Sequence, residues 1–185
     1  GAASPCSFHH AAQEMYIAVH GDELTVTGPT TALKWLDDNM SSKYDIKAQV
    51  LGPEWNMQQS MTVLNRTMRW QEHGIEYEPD QRHAELIIES MGVSSGKGVS
   101  TPVVADSLQD LASRMQSAEL CSTEASRYRA VAARLTYLAQ DRFELQFAAK
   151  VASKNMSCPR EVDWQTLKRV ARYLVQRPRS VKTFE

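Results

Sequence analysis

The sequence predicts an α+β chain in which β-hairpins and helices come first and a small helical region follows. The apolar period is near two across much of residues 15–78 and changes to a helical period after Pro79 and Asp80. Gly28-Pro29 and Gly52-Pro53 break the first half into short pieces. With 185 residues, 42% of them hydrophobic and 23% charged, the chain has the composition of a folded protein that buries a core.

Each element has a local reason. Met15-Tyr16-Ile17-Ala18-Val19 and Leu24-Thr25-Val26-Thr27 flank His20-Gly21-Asp22-Glu23, the pattern of a β-hairpin with acidic residues at its tip. Thr30 or Thr31 caps a helix in which Leu33, Leu36 and Met40 recur at helical spacing beside Trp35. Tyr44, Ile46, Ala48 and Val50 alternate with polar residues and predict a half-buried strand. A second hairpin is expected from Met61–Trp70 and Ile75–Glu78, with Glu72-His73-Gly74 as its turn. Ala84, Ile87, Ile88 and Met91 then share one helical face, and Gly92 stops the helix.

These elements make a first region at 1–92. Residues 93–122, with Ser94, Ser95, Gly96, Gly98, Ser100 and Pro102 and a weak amphipathic run from Leu108 to Met115, read as a linker. The helical region at 123–177 follows. Its stripes are Tyr128, Val131, Ala132, Leu135 and Leu138, then Phe143, Phe147, Ala148 and Val151, then, after Cys158-Pro159, Trp164, Leu167, Val170, Ala171 and Leu174. Residues 178–185 read as a tail.

Charge is segregated. Residues 1–80 hold 5 Lys and Arg against 11 Asp and Glu, whereas residues 81–185 hold 16 against 11. Such a bias steers a polyanion towards one face, although a solvated basic helix has the same composition. No apolar stretch approaches the roughly 20 residues of a membrane span. Cys6, Cys121 and Cys158 are odd in number and in no C-x-x-C pattern, which predicts reduced thiols and an intracellular location, cytoplasm or nucleus. The chain opens on Gly1 with no basic stretch ahead of an apolar run, so no secretory leader is expected and the sequence reads as a piece of something longer.

Asp22 and Glu23 carry the most chemical content, because a two-strand support aims them at a cleft; acidic turns also serve solubility alone. Two-metal nucleotidyl transfer needs carboxylates converging on ions roughly 3.5–4 Å apart, and neighbouring strand residues point to opposite faces. A further carboxylate must therefore come from another strand. His9, His10, His20, His73 and His83 lack any zinc spacing, and Gly96-Lys97-Gly98 lacks the rest of a phosphate loop.

The order of motifs resembles the reverse transcriptase of copia-type retrotransposons, from the end of the palm through the thumb-like region into the connection before the RNase H domain. Ser4-Pro5-Cys6-Ser7-Phe8 is similar to D-P-C-L-F, and Tyr16 to Gly28, with His20-Gly21-Asp22-Glu23, to the Y-V-D-D hairpin and its following glycine. Leu33-Lys34-Trp35-Leu36, Val50-Leu51-Gly52, Val63-Leu64-Asn65-Arg66, His83-Ala84-Glu85 and Val99-Ser100-Thr101-Pro102 continue the match. A long block closes it, from Tyr128-Arg129-Ala130 through Leu135-Thr136-Tyr137-Leu138-Ala139, Phe147-Ala148 and Met156-Ser157-Cys158-Pro159 to Leu167-Lys168-Arg169-Val170-Ala171-Arg172-Tyr173-Leu174. The resemblance covers nearly the whole chain.

The resemblance implies a partial polymerase palm and RNA-directed DNA synthesis on an RNA/DNA primer-template with Mg²⁺. By position Asp22 is the metal ligand, with Glu23 beside it as the second catalytic carboxylate. Arg66, Trp70 and Tyr77 on the second hairpin and Lys168, Arg169 and Arg172 on the last helix are the implied nucleic-acid contacts; core packing is the other reading of Trp70 and Tyr77. Glu23 stands where the family has aspartate, and its extra methylene moves the carboxylate by roughly 1.5 Å, against a tolerance of about 0.5 Å. The family's other catalytic aspartate precedes the hairpin by more than the 21 residues available here. The expectation is a degenerate fragment, inactive alone, that relies on the remaining polyprotein domains: upstream palm and fingers, downstream RNase H. The alternative is a noncatalytic nucleic-acid or protein interaction module.

Overall fold

The structure, a computed structural model, describes residues 4–93, 98–104 and 107–185. The opening Gly1-Ala2-Ala3, the Gly96-Lys97 pair and part of the expected linker lie outside the described residues. The chain is mixed α and β, with two antiparallel sheets and six α-helices among the described residues. It divides into two compact units, 1–63 and 64–185.

In the first unit, β1 (Ser7–His10), β2 (Met15–His20) and β3 (Glu23–Thr27) form an antiparallel sheet in that order. The expected hairpin is present as β2–β3, in a register that runs from Tyr16 opposite Thr27 to His20 opposite Glu23. Two residues, Gly21 and Asp22, close it, and Gly21 has φ 62°, the mark of a II′ turn, whose twist suits flanking strands. Strand β1 is unforeseen, because its four residues are all exposed and carry no apolar alternation. Helix α1 (Thr30–Ser41) starts after Pro29, and no threonine side chain caps it. The core of this unit is thin: Met15 and Ala32 are its buried apolar residues.

Residues 44–50 are not a strand, contrary to the expectation. Tyr44 is 61% exposed and Val50 39%. An alternating pattern becomes a strand only where an edge accepts its backbone hydrogen bonds. Here the ladder shrinks to an isolated bridge between Leu51 and Gln58. The expected arm Met61–Trp70 is likewise two strands, β4 (Ser60–Val63) and β5 (Arg66–Gln71), because Leu64 and Asn65 both take positive φ, 49° and 63°.

In the second unit β5 pairs with β6 (Gly74–Glu78), and β6 with β7 (Lys182–Phe184), all antiparallel. The segment expected as a tail therefore supplies a strand. Helix α2 (Arg82–Met91) ends on Gly92 in the left-handed conformation, as expected, and α3 (Leu108–Gln116) falls on the weak amphipathic run. Helices α4 (Ser122–Leu138), α5 (Gln146–Lys154) and α6 (Trp164–Gln176) complete the unit. Helix α2 packs on α4 and α6, and α5 on α4 and α6.

The stripes of α4 and α6 bury as their periodicity requires: Tyr128, Val131, Ala132, Leu135 and Leu138, with Leu167, Val170, Ala171 and Leu174. The α5 stripe is corrected. Leu145, Ala148, Ala149 and Ala152 are buried, while Phe143 is 63% exposed and Phe147 55%. Three alanines let α5 approach α4 closely enough for the Tyr128 hydroxyl to donate to the Ala152 carbonyl at 2.9 Å, leaving no room for phenylalanine rings.

Candidate functional site

The acidic tip lies where the hairpin argument places it. Asp22 is in the two-residue turn and Glu23 begins β3; both are exposed. By strand alternation Glu23 shares a face with His20, Ala18 and Tyr16, the open face on which His9 stacks on Tyr16 at 4.5 Å. The opposite face carries buried Met15 and half-buried Ile17, Val19 and Val26. Among the described residues no group of three or more His, Cys, Asp or Glu side chains converges as a metal-ligand set. Asp22 and Glu23 alone do not form the carboxylate cage that Mg²⁺ implies.

On the second hairpin, two of the three residues singled out from sequence belong to one network. Asp141, in the turn after α4, accepts from Arg66 Nε at 3.0 Å and from the Tyr77 hydroxyl at 2.6 Å, and its Oδ2 lies 2.9 Å from a terminal nitrogen of Arg66. Arg66 Nε also donates to the Tyr77 oxygen at 3.0 Å. Burial first, and then the hydrogen bond to Asp141, push the Tyr77 phenol up to about 12. The network therefore holds the β5–β6 hairpin against the helices. Trp70 lies one row nearer the turn, opposite Ile75, and is half-buried.

The other face of β6 carries a second network. Glu78, 3% exposed, accepts from Arg179 at 2.6 and 2.8 Å, pairs with Arg69 at 2.7 Å and also accepts from Gln81. Arg179, then Arg69, hold its carboxyl at about 2, well below the ordinary carboxylate range, against the opposing effect of burial. A second buried acid, Asp163, binds Arg114, Asn155 and the Arg160 backbone N–H. These carboxylates are fully engaged in holding the fold.

On α6, Lys168 and Arg172 are exposed one turn apart. Arg169 is turned aside and donates to the Thr101 carbonyl and hydroxyl at 3.1 and 2.9 Å. The structure thus brings Arg66 and Tyr77 together, leaves Lys168 and Arg172 open to solvent, and ties Arg169 to the segment before α3.

Sequence reasoning missed Asp141 and the pairing of Lys182–Phe184 with β6. Asp141 is 75 residues from Arg66 and 64 from Tyr77, so no local pattern announces it. Val181-Lys182-Thr183-Phe184 does carry a signal, a short β-branched and aromatic run. Among the described residues no helix is long and apolar enough to cross a membrane. No family model, curated protein or solved structure matches the chain.

Proposed function

We propose that this chain is part of a copia-like RNA-directed DNA polymerase, degenerate at its catalytic hairpin, which contacts an RNA/DNA primer-template and does not polymerise by itself. The observation that carries the reading is the β2–β3 hairpin: two antiparallel neighbours closed by a two-residue turn, with Asp22 at the tip and Glu23 beside it. Any other arrangement of those segments is incompatible with the reading. Mg²⁺ belongs to the assembled polymerase, with Asp22 as one ligand and further carboxylates supplied from beyond this set of residues. Open Lys168 and Arg172 on α6 supply phosphate contacts.

The test is a titration of an RNA–DNA hybrid at rising salt, with and without Mg²⁺. Log affinity should fall linearly with log salt, with a slope set by the number of phosphates neutralised. Binding that ignores salt removes the reading. Primer extension by the parent polyprotein, native against Glu23→Asp, then addresses the hairpin: restored extension identifies Glu23 as the lesion.

A noncatalytic module is the second reading, favoured by the lack of a converging third ligand among the described residues. It gives the same salt slope with no response of the parent protein to Glu23→Asp.

A further inference from the structure

We propose that the outer row of the second sheet, with Phe184 of β7 at its edge and Lys182 and Phe143 beside it, is a stacking platform for unpaired bases of a single-stranded polynucleotide. This rests on the nucleic-acid reading above and moves its contact surface from Arg66 and Tyr77 onto β7.

Strand alternation sorts the sheet into rows. Trp70, Ile75 and Phe184 lie directly across three strands, and Met68, Tyr77 and Lys182 form the next row on the same face. The inner row is engaged, because Tyr77 and its neighbour Arg66 are held by Asp141. The outer row is nearer the hairpin turn, and its edge is open: Phe184 is 60% exposed. Its ring meets Tyr77 edge-on at 6.3 Å. Phe143, 63% exposed, lies across Lys182, whose ammonium is 3.9 Å from that ring centroid and 5.8 Å from that of Tyr77.

Charge selects the occupant. Among the described residues Lys182 has no carboxylate in ion-pair range; Asp141 is paired with Arg66, Glu78 with Arg69 and Arg179, and Glu144 with Arg142, while Glu72 in the hairpin turn and Glu185 after Phe184 are exposed acids at the border of the row. Residues 177–182 contain Arg177, Arg179 and Lys182 and no acid. An exposed ring at the sheet edge, Phe184, with an ammonium in the adjoining row, Lys182 against Phe143 and Tyr77, matches a base stacked on a ring and a phosphate beside it. The bases must be unpaired, because a duplex already covers their faces.

The platform exists only while β7 stays paired. Gly74, at φ 137°, allows this, since a Cβ there would fall on the Phe184 carbonyl oxygen.

The experiment uses the full chain and fluorescence anisotropy with a short labelled oligothymidylate and, separately, an RNA–DNA hybrid. Phe184→Leu and Phe143→Leu should each weaken single-strand binding roughly ten-fold, with hybrid binding nearly unchanged. Phe184→Trp should match or exceed the native affinity, and it carries the test if the leucine variant melts early. Lys182→Gln should lower the log-log salt slope by about one. Native single-strand affinity in the leucine and tryptophan variants alike, or equal losses on both nucleic acids, overturns the platform while leaving the nucleic-acid reading intact. A native chain that binds neither probe overturns that reading and the platform with it.

Discussion

Replacing Glu78 by glutamine keeps its shape and removes its charge from between Arg69 and Arg179. Holding the carboxyl at about 2 against an ordinary 4.5 corresponds, at about 1.4 kcal/mol per pH unit, to about 3.5 kcal/mol. The Arg179 side chain is 57% exposed and that of Arg69 31%, so water takes up part of what each loses, and about 2 kcal/mol is the expected cost at pH 7. For a unit of this size that lowers the melting temperature by several degrees. The carboxyl is depressed in the folded state, so its contribution is complete above the unfolded value near 4.5 and is lost as pH falls towards 2. Thermal melts followed by circular dichroism should show native and Glu78→Gln proteins well separated at pH 7 and converging below pH 4. A separation that persists undiminished to pH 2, or none at pH 7, refutes the assignment of that stability to the Glu78 charge.

Three further outcomes follow from other elements. Gly92→Ala places a Cβ in open space but on a residue at φ 62°, so the loss of about 1–2 kcal/mol in urea unfolding is conformational alone. On α5, Phe147→Ser should change stability by less than about 0.5 kcal/mol because the ring is exposed, whereas Ala152→Leu overpacks the α4 contact and costs about 1–3 kcal/mol; a larger loss at Phe147 would restore the aromatic stripe read from sequence. The Tyr77 phenol should ionise near pH 12 in an ultraviolet titration. Its contribution to stability is present below about pH 10 and lost as pH rises through 12, and Asp141→Asn should lower the midpoint.

Where a pattern repeats along a single element, the chain alone determined the outcome. The stripes of α4 and α6, the stop at Gly92 and the turn that puts Asp22 at a hairpin tip depend on neighbours a few positions away, so periodicity and turn chemistry suffice. The α5 face escaped that reasoning because phenylalanine scores as core by hydropathy, while the close contact at Ala152 selects by volume instead. Residues 44–50 escaped it because a strand needs a partner edge that no alternation can supply. Tertiary structure alone decided the rest. It turned Arg66 and Tyr77 into partners of Asp141, made the last residues an edge strand on β6, and closed Arg179 onto Glu78 from 101 positions away. Such pairs form because a buried charge must find its counter-charge wherever the backbone brings one, and nothing local encodes where that will be.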